Sequence, residues 1–300
     1  MECCPVCGAR HLRKNVISPR LLEWRCAACG HHVAEHTGAV TSSADYHEQY
    51  EQGAFIDALR ATRLRQASVI CARVRALAPG ARSLLDFGCG RGWFLDEARR
   101  VGMSEVAGAD ISDRALQLLA ERNIPGIKLD GDRPEELDIA RLPFRPEVLT
   151  LLDVIEHFPP ARVRDILGAL VARLRPELTL VVVKVPVTTG VLFRAAGALS
   201  SLGQHGAIEQ LYQVGTFPPH RSYFSRRSLE IAMRGAGLEP VAAMRDPDFE
   251  PSSLADRARA IAPLPRWSSR WAGAMAAALA RLSHAEDSVI LACRPAAARG

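Results

Sequence analysis

Short apolar runs alternate with helical repeats along the middle of the chain. Runs at 83–87, 105–109, 127–129, 148–152 and 178–185 read as strands. Between them, 93–101, 113–122 and 160–174 carry apolar positions at helical spacing, and Ser112 stands as an N-cap. Strands alternating with helices predict a mostly parallel sheet covered on both faces. Upstream, Phe55, Leu59, Leu64, Val69, Val74 and Leu77 predict a helix over roughly 45–78, stopped by Pro79-Gly80. Past Pro186 the pattern loosens. Residues 187–224 mix Gly, Ser, Pro and aromatics and are expected to cover the ligand edge of the sheet. A helix at 226–235 ending at Gly237, a strand at 238–244 and a last strand at 288–293 bring the strand total to seven. Pro-rich turns and an Ala/Arg/Trp-rich helix around 271–282 lie between those two strands.

Cysteine placement adds a second unit at the N-terminus. Cys3, Cys4, Cys7, Cys26 and Cys29 crowd the first thirty positions, whereas Cys71, Cys89 and Cys293 are scattered. Cys4-Pro-Val-Cys7-Gly and Cys26-Ala-Ala-Cys29-Gly enclose eighteen residues, the C-x2-C…C-x2-C spacing of a structural zinc site. Each pair puts two thiolates on a tight turn, and the following glycine allows positive φ. Four thiolates leave zinc no open position, so a structural Zn2+ on Cys4, Cys7, Cys26 and Cys29 is expected, with no catalytic part. Cys3 offers an alternative register, and His31, His32 and His36 are reserve ligands. The chain thus divides into a zinc-ribbon module at 1–40, a helical linker or cap at 41–80, and an α/β domain at 81–300 with insertions near 187–224 and 246–287.

Candidate chemistry starts at LLDFGCGRGWF, residues 84–94, where the first sheet strand enters a glycine-rich turn. A dinucleotide fingerprint needs G-x-G-x-x-G, and Trp93 stands where its third glycine would be. A phosphate-binding G-x-x-x-x-G-K-[ST] loop is absent. What remains, D-x-G-x-G-x-G after a strand, resembles the first motif of the class I S-adenosylmethionine-dependent methyltransferases of small-molecule type. Three further stretches carry the resemblance in order: GADIS ending the second strand, Asp130-Gly131-Asp132 ending the third, and LLDVIEHFPP ending the fourth. HRSYFSRRSLEIAMRGAGL, 220–238, is similar to a stretch of that group before its late helix. The resemblance covers roughly 80–245.

It implies a Rossmann-like, doubly wound, seven-stranded sheet with S-adenosyl-L-methionine as cofactor. Asp86, Gly88, Gly90 and Gly92 would form the cofactor turn, with bare backbone for the methionine part. Asp110, followed by Ile111, would bind the ribose hydroxyls or cap the next helix. Asp130 or Asp132, around Gly131, would approach the adenine. Asp153 and Val154 would lie beside cofactor and acceptor. Methyl transfer needs an aligned nucleophile that often must lose a proton. His157 and His220 are the candidate bases, each with pocket shaping as the alternative.

The acceptor is expected to be a small molecule, with O-methylation of a saccharide or secondary metabolite the leading reading. C-methylation of a nucleotide deoxysugar is one alternative, since the layout resembles that of some deoxysugar C-methyltransferases, which also place a zinc module first. Their stretch before the base is similar to Thr216–Ser225, but Phe217 and Pro219 replace its tyrosine and glutamate, and the further C-terminal domain of those enzymes is not expected here. An RNA-modifying methyltransferase or a nucleic-acid-binding zinc-ribbon protein is the other alternative, since Arg10, Arg13, Lys14, Arg20, Trp24 and Arg25 lie in the ribbon. Asp153-Val154-Ile155-Glu156 lacks the N-P-P-Y-like form of base N-methylating enzymes. A net charge of +5 is scattered, so nucleic acid is not the expected partner. No apolar run has membrane-spanning length and no signal peptide is read, which points to the cytoplasm. The stretch 266–282, with Trp267, Trp271 and arginines, is a candidate for weak membrane-surface contact or for core packing.

Overall fold

The computed structural model describes residues 1–38, 53–244 and 287–297. Three antiparallel strands open the chain: β1 (Leu12–Ser18), β2 (Leu21–Cys26) and β3 (His32–His36). Helix α1 (Gly53–Leu77) leads to the main sheet. Its strands are β4 (Ser83–Phe87), β5 (Glu105–Asp110), β6 (Gly126–Lys128), β7 (Val148–Leu152) and β8 (Leu180–Pro186). Helices α2 (Trp93–Arg100), α3 (Asp113–Ala120) and α4 (Val163–Leu174) connect them. Two helices then occupy the 187–224 segment, α5 (Val191–Ser201) and α6 (Gly206–Leu211). The short β9 (Ser222–Tyr223), helix α7 (Arg226–Gly235), β10 (Leu238–Met244) and β11 (Ser288–Pro295) complete the described elements.

The main sheet has the order β10-β11-β8-β7-β4-β5-β6. Strands β4 to β8 are parallel, and β11 runs antiparallel to both its neighbours. This is the expected Rossmann-like, mostly parallel seven-stranded sheet. Alternate residues feed two apolar layers, as a pleated strand dictates. Leu85, Phe87, Leu149, Val181 and Val183 face α4 and α7, where Ile166, Leu170, Leu229 and Met233 fill the space. Leu84, Val106, Val148, Leu180 and Val182 face Ile70 and Val74 of α1 and Leu95 and Ala98 of α2. Strand β4 lies between β5 and β7, so the chain leaves it in opposite directions. The crevice at that switch point, beyond the strand C-termini, is where open α/β sheets bind ligands.

The N-terminal sheet is not confined to the first forty residues. Its order is β1-β2-β3-β9, so its fourth strand comes from the segment before α7. Cys4, Val6, Cys26 and Cys29 join the apolar layer of α4 and α7. On its other side, Ile17, Leu21 and Ala34 pack with Phe193, Ala196, Ile208, Tyr212 and Tyr223. The 187–224 stretch, read as a loose cover, is therefore a helical bridge between the two sheets. The expected helix around 271–282 and the 266–282 surface stretch lie outside the described residues.

Candidate active site

The turn after β4 is built from left-handed backbone. Gly88, Gly90 and Gly92 have φ of 76°, 52° and 71°, a region that strains any residue with a side chain. Space imposes the same choice. A Cβ on Gly88 would lie 2.4 Å from Val154 Cγ2, and one on Gly92 would lie 2.5 Å from Leu119 Cδ2. Bare backbone thus meets the loop after β7 on one side and α3 on the other. Trp93 and Phe94 start α2, with Phe94 buried in the core.

Asp110 ends β5 and is buried. Its Oδ2 accepts from the Gly90 amide and its Oδ1 from the Ser112 amide, each at 2.8 Å. One carboxylate thereby ties the glycine turn to the start of α3, where Ser112 Oγ caps the Ala115 amide. A carboxylate offers about four acceptor positions, more than these amides occupy. Burial pushes the Asp110 carboxyl up, and the amides from Gly90 and Ser112 oppose the shift. Asp86 lies inside β4 and accepts a 2.7 Å bond from Thr150 Oγ1. Burial pushes its carboxyl up to about 7, against the pull of Thr150 and with a contribution from the charge of Asp110. Ile111 is half-buried, and Asp130, Gly131 and Asp132 form an exposed turn after β6. Asp130 Oδ1 accepts from the Asp132 amide at 2.8 Å.

Asp153 follows β7 with φ of 58°. Lys184 Nζ donates to both its carboxylate oxygens at 2.9 Å, and Arg63 of α1 donates to Oδ2. Burial alone would raise this carboxyl; Lys184 and Arg63 hold it well below the usual range instead. Neither cation was anticipated as a site residue. The signal was a lone lysine in the otherwise apolar run of β8, which the register places opposite Leu152.

One turn further on, Ile155–His157 forms a 3-10 helix. Glu156 is fully buried, and neither carboxylate oxygen has a hydrogen-bond partner. His157 Nδ1 lies 3.0 Å from the Pro219 carbonyl, and its ring centroid is 4.8 Å from that of His220. The two candidate bases, distant in sequence, therefore meet. His220 is held on three sides: its carbonyl accepts from His36 Nε2 at 2.8 Å, its Nδ1 lies 3.4 Å from Tyr223 Oη, and the next amide, of Arg221, donates to the Glu156 carbonyl at 2.8 Å. Burial lowers the pKa of both histidines, and the neighbouring His157 lowers His220 further. Burial, then the charge of Asp153, pushes Glu156 well up.

In the ribbon, Cys4, Cys7, Cys26 and Cys29 bring their sulfurs within 4.8 Å of one another. Cys4 to Cys29 is 3.7 Å and Cys7 to Cys26 is 3.6 Å. Four sulfurs about 2.3 Å from a tetrahedral zinc would be separated by about 3.8 Å, so the cluster is compatible with that ion. Gly8 and Gly30, after the second cysteine of each pair, have φ of 74° and 73°. Cys3 is exposed, which selects the Cys4 register. Of the reserve histidines, His32 is bonded to Glu23 and His36 to the His220 carbonyl, while His31 packs on the Phe224 ring with neither ring nitrogen hydrogen-bonded.

Comparisons bear on this arrangement. The family model described as a methyltransferase domain matches residues 59–243, more than half of the chain. No curated protein matches significantly. Among solved structures, a chain of the Haloferax volcanii complex between the Trm112 methyltransferase activator and a methyltransferase is 14% identical, with a TM-score of 0.53, covering 84% of this chain and 98% of that one. Magnesium protoporphyrin IX methyltransferase from Synechocystis, with bound S-adenosylhomocysteine, is 15% identical at a TM-score of 0.50, covering 85% and 94%. The [4+2]-cyclase SpnF is 14% identical at 0.50, covering 86% and 98%. At these identities the likeness concerns the fold, and the cyclase illustrates that one fold hosts several chemistries. Among the described residues no helix is long and apolar enough to cross a membrane. Fold, motif order and family match together establish that the chain belongs to the S-adenosylmethionine-dependent class I methyltransferases.

Proposed function

We propose that this methyltransferase methylates a hydroxyl oxygen of a small molecule, a saccharide or secondary metabolite, and that Cys4, Cys7, Cys26 and Cys29 hold a structural zinc ion. The meeting of His157 and His220 at the loop that touches the glycine turn carries the reading. S-adenosylmethionine supplies a methyl group on a positively charged sulfur. Gly88, Gly90 and Gly92 admit its methionine part to bare backbone, with Asp86 and Val154 shaping the turn. Asp110 accepts from the ribose hydroxyls, beside Ile111. Asp130 or Asp132, hinged at Gly131, reaches the adenine. Asp153, fixed by Lys184 and Arg63, sets the floor between cofactor and acceptor. Neutral imidazoles keep a lone pair, so His157 or His220 can take the acceptor's proton.

The small-molecule class is favoured by the structural likeness to the magnesium protoporphyrin IX methyltransferase. It is also favoured over RNA by the ribbon itself. Trp24, the aromatic expected to stack on a base, is covered by Lys14 at 5.6 Å and bonded through Nε1 to Glu35 at 2.8 Å. Calorimetric titration with S-adenosylmethionine and, in parallel, NADH tests the cofactor. Micromolar binding of the first alone, lost in Asp110→Ala, is expected; an acceptor screen then begins with sugars. Tight NADH binding, or an unaffected Asp110→Ala, would overturn the assignment.

A further inference from the structure

Glu156 is the residue that the reading above leaves without a task. It is fully buried, yet both carboxylate oxygens lack a hydrogen-bond partner. Buried carboxylates are ordinarily paired or coordinate a metal. Lys184 and Arg63 favour its charge through space, but their hydrogen bonds go to Asp153. What it does face is the histidine pair. One carboxylate oxygen of Glu156 and one ring nitrogen each of His157 and His220 lie within 4.8 Å of one another.

The tautomers point the same way. The Pro219 carbonyl can only accept, so His157 Nδ1 carries the hydrogen. Tyr223 Oη spends its own hydrogen on the Leu211 carbonyl at 2.7 Å, so toward His220 Nδ1 it can only accept. Both rings are thereby left with the lone pair on Nε2. Metal-bound histidines characteristically donate their other N–H to a carbonyl or similar acceptor, which fixes ring and tautomer in this way.

We propose that Glu156, His157 and His220 bind a first-row divalent cation at the acceptor side of the site. Two imidazoles and one carboxylate suit Mn2+, Fe2+, Co2+ or Zn2+ and leave positions open for other oxygens. Around a shared ion at about 2.1 Å, ligand atoms sit about 3.0–3.5 Å apart, so the three side chains draw together on binding. The catalytic role, though not the site itself, rests on the methyl-transfer reading. The acceptor hydroxyl oxygen takes an open position, where the cation lowers its O–H pKa. Its proton passes to water. The oxygen lone pair forms the new O–CH3 bond while the S–CH3 electron pair returns to sulfur, leaving neutral S-adenosylhomocysteine. With the cation bound, this route replaces direct proton removal by His157 or His220, whose Nε2 lone pairs then hold the metal.

Mn2+ is the discriminating probe, because thiolates select zinc whereas carboxylate and imidazole accept manganese. The full-length chain, carrying zinc on its cysteines, is titrated with Mn2+ by electron paramagnetic resonance and calorimetry. Zinc content and S-adenosylmethionine binding are measured on the same samples. One Mn2+ per chain is expected, weakened at least about 100-fold in Glu156→Gln and in His220→Asn, with cysteine-bound zinc and cofactor binding unchanged. A wild-type chain already carrying a second zinc that both variants lack supports the site equally. No second metal in the wild type, or equal Mn2+ binding by both variants, overturns it. Mn2+ binding without S-adenosylmethionine binding would keep the cation site and remove the methyl-transfer reading.

Discussion

Asp86 carries a charge problem into the centre of the sheet. Its carboxyl is pushed up from 3.8 to about 7 by burial, despite Thr150, with Asp110 adding to the shift. Across that interval the folded chain keeps a proton that the unfolded chain releases. This contribution to stability is therefore complete below about pH 4 and is lost as pH rises through 7. Asp86→Asn removes the dependence, and three pKa units at ~1.36 kcal/mol each set a ceiling of about 4 kcal/mol gained at pH 8. Urea unfolding of the ligand-free protein at pH 5 and pH 8 reads the difference. An unchanged pH slope in the variant would mean that Asp86 is ionised in the fold. Residues whose partners are local were legible in the sequence: Ser112 caps α3, and Asp110 sits where its strand had to end. Lys184 and Glu156 were not, because their meaning depends on strand register and on what a distant segment brings. Asp153 finds Lys184 only because β7 and β8 pair Leu152 with it, and Glu156 finds His220 only through the bridge helices.

Strands β4 and β7 were legible to their terminal residues. Both are buried on two faces, which forces an unbroken apolar run with sharp ends. Helices α5 and α6 were not. Gly190, Gly197, Gly203 and Gly206 and the serines at 200 and 201 dilute their periodicity, and their apolar side chains face the ribbon rather than the sheet. Strand β9 is too short to leave a pattern. It nevertheless carries the coupling between ribbon and site. Ala34 donates its amide to the Arg221 carbonyl at 2.9 Å, Ser225 Oγ donates to the Cys29 carbonyl at 2.6 Å, and His36 holds His220. Chelation that strips the cysteine cluster should therefore raise hydrogen exchange in 220–225 together with 1–38, while β4, β7 and β8 stay protected. Exchange followed by mass spectrometry distinguishes this from an independent ribbon, in which 220–225 would keep its protection.

At the scale of the molecule, the proposed cofactor crevice lies at the switch point between strands that the rest of the domain holds in register. Ligand bound only by the folded state stabilises it by mass action, about 2.7 kcal/mol at a hundred times Kd. S-adenosylmethionine at that excess should raise the thermal midpoint by about 5–10 °C in a domain of this size. Asp110→Ala should show no such rise, and NADH should leave the wild type unmoved; a rise with NADH would contradict the cofactor assignment. The mostly parallel sheet followed from strand–helix alternation, whereas the joining of the two sheets did not, since it runs through β9 and a helical bridge. That join has a consequence for how such a protein can be inherited or rebuilt. Excising the ribbon would strip the β9 edge and lay open Tyr212 and Tyr223. A recombinant that borrows another ribbon should need the 187–225 bridge with it, so the two stretches, far apart in the gene, form one unit for exchange.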